Sequence, residues 1–188
     1  MVKTFGTIAV WAVAAWVLVW TVPALGLERG AQPASVEPGL EVTYYARAFN
    51  RLREIPDWAK YKKGTAGPVL PAIDYDSGSG AVLTSGRDDS VGAHIVGLIN
   101  LSESGTYQFK ARSNDGAQVT IGGERVVKDD RPHPTRFSKT ASLSVAKLGW
   151  YKIEILYFEK KGNSVLELHW APPSGGGFAI VPAEAFGH

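Results

Sequence analysis

At 188 residues the chain holds one ordinary domain plus an extra segment, and an aromatic content of 11% supplies a substantial core. Formal charge is +2, and setting Lys3 aside leaves 19 basic against 18 acidic residues, which removes the electrostatic case for nucleic-acid binding. There is no cysteine, so neither an oxidising nor a reducing compartment is demanded, and the fold must stand on its core alone.

From Thr4 to Leu27 no residue is charged. As a helix, about 24 residues at 1.5 Å each reach roughly 36 Å, enough to cross a hydrocarbon layer of about 30 Å. Residues 1–27 therefore read as a transmembrane anchor. The alternative is a cleavable signal peptide cut near Ala24-Leu25-Gly26, but such peptides have apolar cores of only about 7 to 15 residues. Trp11, Trp16 and Trp20 lie in this segment, and Trp11 falls near mid-depth, where an aromatic belt would not place it. Packing of these rings against a partner's membrane helix is the functional reading, and facing lipid is the plainer one. Lys3 before the segment, with no basic cluster after it, favours a cytoplasmic amino terminus and a periplasmic or extracellular body.

Residues 28–38, with two prolines and no periodicity, have the composition of a short tether. From residue 39 onward, short segments recur between Gly, Pro, Asn and Asp punctuation, predicting strands near 41–48, 93–100, 106–112, 117–121, 124–128, 136–145, 150–158, 164–170 and 178–181. No segment holds helical spacing for more than about two turns. The long stretch 57–92 is rich in turn residues and reads as a loop, within which only 68–73 looks ordered. Trp58, Tyr61 and Tyr75 fall in it, where aromatic rings either stack on sugars and partners or anchor the loop to the core.

The run 102–127 carries the densest pattern. Tyr107, Phe109 and Ala111 alternate with Gln108, Lys110 and Arg112, and Val119 and Ile121 alternate with Gln118 and Thr120. Asp115-Gly116 and Gly122-Gly123 supply turns that tolerate positive φ, predicting two successive hairpins with a polar tip at Ser113-Asn114-Asp115. A third hairpin is predicted over 149–170, with Tyr151, Ile153, Ile155 and Tyr157 on one face, and with Leu166, Leu168 and Trp170 on one face of the returning strand. Its turn is Lys160-Lys161-Gly162-Asn163. On this reading His169 shares the outward face with Glu167 and Val165.

The sequences Ser104-Gly105-Thr106-Tyr107-Gln108-Phe109, Ser113-Asn114-Asp115-Gly116 and Val119-Thr120-Ile121-Gly122-Gly123 resemble the central motif of the PA14 domain. An opening Gly39-Leu40-Glu41-Val42-Thr43-Tyr44-Tyr45 and a closing Leu166-Glu167-Leu168-His169-Trp170 extend the resemblance over about residues 39–186. It implies an all-β, PA14-like antiparallel β-sandwich or flattened barrel over 39–188, the architecture that nine short strands also suggest. In adhesins of the family two adjacent aspartates, often joined by a cis peptide, hold calcium with groups from a second loop. The corresponding positions are Asn114 and Asp115, and the second loop is about 159–163. Carboxylates of Asp115 and Glu159, the Asn114 amide oxygen and backbone carbonyls are the implied donors. Asn114 in place of aspartate removes one charge. The structural alternative is a turn whose side chains bond to nearby backbone N–H groups.

No catalytic constellation stands out. Asp88-Asp89 and Asp129-Asp130 are acid pairs of the kind a glycosidase needs, but turn context makes them solvated acids, and His94, His133, His169 and His188 have no metal-ligand spacing. A non-enzymatic, membrane-anchored accessory subunit of a larger respiratory, photosynthetic, secretory or envelope complex is the leading expectation. The alternative is a calcium-dependent carbohydrate-binding module at the cell surface.

Overall fold

The computed structural model describes residues 32–188, and the segment carrying Trp11, Trp16 and Trp20 lies outside the described residues. Among the described residues no helix is long and apolar enough to cross a membrane. The elements run β1 (Glu41–Ala46), α1 (Glu54–Ala59), β2 (Thr65–Ala66), β3 (Asp74–Gly78), β4 (Val91–Leu101), β5 (Gly105–Asn114), β6 (Ala117–Ile121), β7 (Glu124–Asp129), β8 (Arg136–Phe137), β9 (Ala141–Val145), β10 (Gly149–Glu159), β11 (Ser164–Ala171) and β12 (Ala179–Ile180). A 3-10 turn (Ala183–Ala185) and β13 (Phe186–Gly187) close the chain.

All pairings are antiparallel. One sheet runs β2-β1-β4-β10-β6-β7, with β13 also on β4, and the other runs β12-β11-β5-β8, with β3 on β11 and β9 on β5. The period-2 pattern explains the layers: Tyr107, Phe109 and Ala111 on β5 and Tyr151, Ile153, Ile155 and Tyr157 on β10 are all buried in one core between the sheets. Tyr107, Phe109 and Trp170 lie with ring centroids 5.5–6.4 Å apart, the tilted and offset arrangements aromatic rings prefer. A smaller cluster of Tyr45, Phe49, Leu52, Ile55 and Phe158 forms where the α1 segment covers the outer face of β10.

Of the three predicted hairpins, only β6–β7 is one. Gly122 and Gly123 both take positive φ (54° and 85°), the conformation a two-residue turn requires, and Ile121 pairs with Glu124. The other two turns are corners between sheets: β5 pairs with β11 and β6 with β10. An inward-facing alternation looks identical whether the next strand returns beside its predecessor or crosses to the facing sheet. Val165, expected on the outer surface beside His169, is buried. The stretch 57–92 contains β2 and β3 in addition to the expected ordered run at 68–73, where Leu70 bridges Leu40 and where Leu70 and Ile73 are buried in the core.

Candidate functional site: the corner loops

The two corners lie at the same end of the sandwich, where β5 passes into β6 and β10 into β11, and Asp115 ties them together. Its Oδ1 accepts the His133 backbone N–H at 2.9 Å and its Oδ2 accepts the Lys160 backbone N–H at 2.9 Å. Main-chain bonds from Asp115 N to Phe158 O and from Phe158 N to Gly116 O lock one corner against the other. Gly116 is required here, because a Cβ at that position would fall 2.4 Å from the Phe158 ring. The Tyr157 hydroxyl donates to Asn114 O at 2.6 Å, and the Asn114–Asp115 peptide is cis. Asp115 is thus a cross-loop clasp: its bonds reach residues 18 and 45 positions away, where a simple turn would bond to its neighbours.

The Asn114 side chain meets two carbonyls. With its amide oriented to donate Nδ2–H to Thr135 Oγ1 at 3.4 Å, its other atom, an oxygen, faces His133 O and Asn163 O, each at 3.3 Å. Two arrangements relieve this convergence of acceptors. Rotating the amide lets its N–H groups donate to both carbonyls, whereas a hard cation would be held by all three oxygens. The donor chemistry suits calcium: neutral amide and carbonyl oxygens, with the Asp115 carboxylate adjacent. Among the described residues no three acidic or histidine side chains form a metal-binding group, so any cation here depends on main-chain oxygens.

Glu159 is at the end of β10, fully buried, and neither carboxylate oxygen has a partner in good hydrogen-bond geometry, the Ser90 backbone being its weak compensation. Burial, followed by the nearby charges of Asp89 and Asp115, pushes its pKa up to about 7. The acid pairs predicted to be solvated are partly engaged. Asp89 Oδ1 accepts Gly162 N at 2.8 Å; Asp129 receives a two-toothed contact from Arg136; and Asp130 accepts Leu52 N at 2.9 Å, with the Arg51 guanidinium 3.5 Å away. Turn context gives an acid's probable exposure but not the loop that folds over it, and for that reason these contacts had no sequence signal. His133 is also buried, with Nδ1 donating to Pro134 O at 2.8 Å and Nε2 3.2 Å from Asp129 Oδ2 without hydrogen-bond geometry.

Trp58 and Tyr61 come together; Tyr75 does not join them. Trp58, in α1, is half-buried with the Arg47 guanidinium 4.3 Å from its ring, and Tyr61 just beyond is 80% exposed. They line a shallow cleft of about 290 Å³ with Arg47, Glu54 and Asp57. This ledge adjoins the corner loops, since Lys160 Nζ donates to Asn50 Oδ1 at 2.8 Å. Tyr75, on β3 of the other sheet, packs against the main core.

Among curated proteins none matches this sequence. Solved structures share the fold: the PA14 domain of the antifreeze protein MpAFP (TM-score 0.70, 18% identity, 84% of this chain and 94% of that one) and a PA14 sugar-binding domain from an RTX adhesin (TM-score 0.61, 20% identity, 81% and 99%). The A domain of epithelial adhesin 9 from Candida glabrata, in complex with Galβ1-4GlcNAc, is also similar (TM-score 0.62, 14% identity, 82% and 90%). The sequence profile of the PA14 domain matches residues 37–184, nearly everything from the tether's end to the last turn. With two antiparallel sheets joined by a clasped pair of corners, the chain belongs to the PA14 domain family.

Proposed function

We propose that this protein is a non-catalytic binding module, displayed outside the cytoplasm on an anchor formed by residues 4–27, which recognises carbohydrate at the corner loops with the help of calcium. The observation that carries this reading is the convergence of the Asn114 side-chain amide, His133 O and Asn163 O beside the Asp115 carboxylate. These groups would hold the cation. A bound calcium supplies open coordination positions that vicinal sugar hydroxyls can fill. The chain's own contribution is the clasp, which fixes the loops before a ligand arrives and so lowers the ordering cost of binding. The galactoside seen with epithelial adhesin 9 and the sugar-binding RTX adhesin domain support a glycan as the ligand class.

Thermal melting of the full chain in detergent, with calcium and then with chelator, tests the metal, because a ligand that binds only the native state raises its stability. Asn114→Asp restores the missing charge while removing the amide's donation to two carbonyls. It should lower the metal-free melting temperature and enlarge the calcium-induced rise. No calcium response in the native protein or in Asn114→Asp refutes the metal reading.

An accessory-subunit role is the second reading. A cleft of about 600 Å³ on the outer face of the first sheet, lined by Val96, Leu98, Lys152 and Glu154 among others, offers a partner surface. Extraction in mild detergent followed by native electrophoresis decides it: a lone species of 20.2 kDa would contradict a subunit role.

A further inference from the structure

A second surface is built for a ligand of different character. Between Arg47 and Lys63 the sequence holds six basic residues (Arg47, Arg51, Arg53, Lys60, Lys62, Lys63) against two acids, Glu54 and Asp57, in a chain whose whole formal charge is +2. Arg51 is paired with Asp130 and Lys60 with Asp57. Arg47, Arg53, Lys62 and Lys63 are exposed and form no salt bridge among the described residues. The 80% exposed ring of Tyr61 stands beside them, over the cleft that Arg47, Glu54, Asp57 and Trp58 complete.

We propose that this ledge binds an acidic polysaccharide, a polymer bearing uronate carboxylates. The cations match the polymer's charge, the Tyr61 ring offers a face for sugar C–H groups, and the Glu54 and Asp57 carboxylates accept sugar hydroxyls. The Trp58 ring is covered by Arg47 and backed by the smaller core cluster, which leaves Tyr61 as the ledge's protruding ring and gives little apolar surface to insert into lipid. This inference rests on the reading of the domain as a binding module, but it uses residues apart from the Asn114 loops.

The test measures binding of the full chain in non-ionic detergent to alginate oligomers, with neutral dextran, phosphatidylglycerol vesicles and a single-stranded oligonucleotide as comparisons. Alginate should bind, and raising salt from about 50 to about 300 mM should weaken it by roughly tenfold or more as exposed charges are screened. Lys62→Glu/Lys63→Glu should weaken binding by about tenfold, and Tyr61→Ala by several-fold with the salt dependence unchanged. Lys139→Glu, an exposed charge change outside the ledge, should leave it within twofold. Equal or tighter binding to dextran, vesicles or oligonucleotide overturns the proposal, as does indifference to Lys62→Glu/Lys63→Glu. Asn114→Ala separates the two sites: it should abolish any calcium-induced stabilisation while alginate affinity persists, so that either property can fail alone.

Discussion

Asp115 commits each carboxylate oxygen to a different loop, and this single side chain explains why the corner end can be rigid without an enclosing helix. Charge-assisted bonds of this kind are about twice as strong as neutral ones, and removing the acceptor strands two main-chain donors. Asp115→Ala should therefore destabilise the fold by about 2–4 kcal/mol in urea unfolding, with chelator present so that metal plays no part. Glu159 works in the opposite direction. Its folded pKa is raised, so the folded state binds more protons than the unfolded state between about 4.5 and about 7. The stability it contributes is complete below the unfolded pKa and is lost as pH rises through about 7. In chelator, Glu159→Gln should stabilise the protein at pH 8 by on the order of 2 kcal/mol and make little difference at pH 4, a contrast that melting at the two pH values reads directly. An unchanged pH profile would mean that Glu159 is solvated.

Among the elements, the longer strands are legible in the sequence, and of their partners only the β6–β7 pairing is. Alternation places Tyr107, Phe109, Tyr151, Ile153 and Ile155 inside, because on these strands the local period decides which side chains face the core, whereas Val165 is buried against the pattern. The Asn114-Asp115-Gly116 turn looks like a hairpin in sequence because turn chemistry fixes two residues' dihedrals and says nothing about the sheet that receives the next strand. The candidate positions Asn114 and Asp115 follow from the family motif, whereas His133 O and Asn163 O, which face the Asn114 side chain, are backbone groups with no residue signature. The α1 segment was hidden for another reason: its six residues are too short for a helical period, and its order depends on Asp130 accepting Leu52 N and pairing with Arg51. Asp130→Ala should loosen this segment preferentially. Hydrogen exchange across residues 47–61 should rise by at least about tenfold while strands β4 and β10 keep their protection, and uniform loss throughout would show that the segment is integral to the global fold.

At the scale of the whole molecule, the described chain begins and ends at one end of the sandwich and presents its corner loops at the other. Gln32 exchanges side-chain bonds with the Trp150 backbone, and Glu37 and His188 exchange two main-chain bonds, close to where β13 pairs Phe186 with Ile99. Val91, at the opposite end of β4, pairs with Glu159 beside the clasp. Eleven strand residues separate those ends by roughly 35 Å, so a proposed anchor preceding Gln32 would hold the corner loops facing away from the membrane, where a distant glycan is reachable. This separation also predicts energetic independence. Phe186 is almost fully buried, and Phe186→Ala should cost about 3–5 kcal/mol by leaving a cavity at the closing end. Sites this far apart with no shared partners add in free energy, so the calcium-induced rise in melting temperature and the Asn114→Asp enhancement should survive the substitution once the lower baseline is subtracted. A calcium response that vanished with Phe186→Ala in a still-folded protein would show the two ends to be coupled and would refute the view of the sandwich as a rigid spacer.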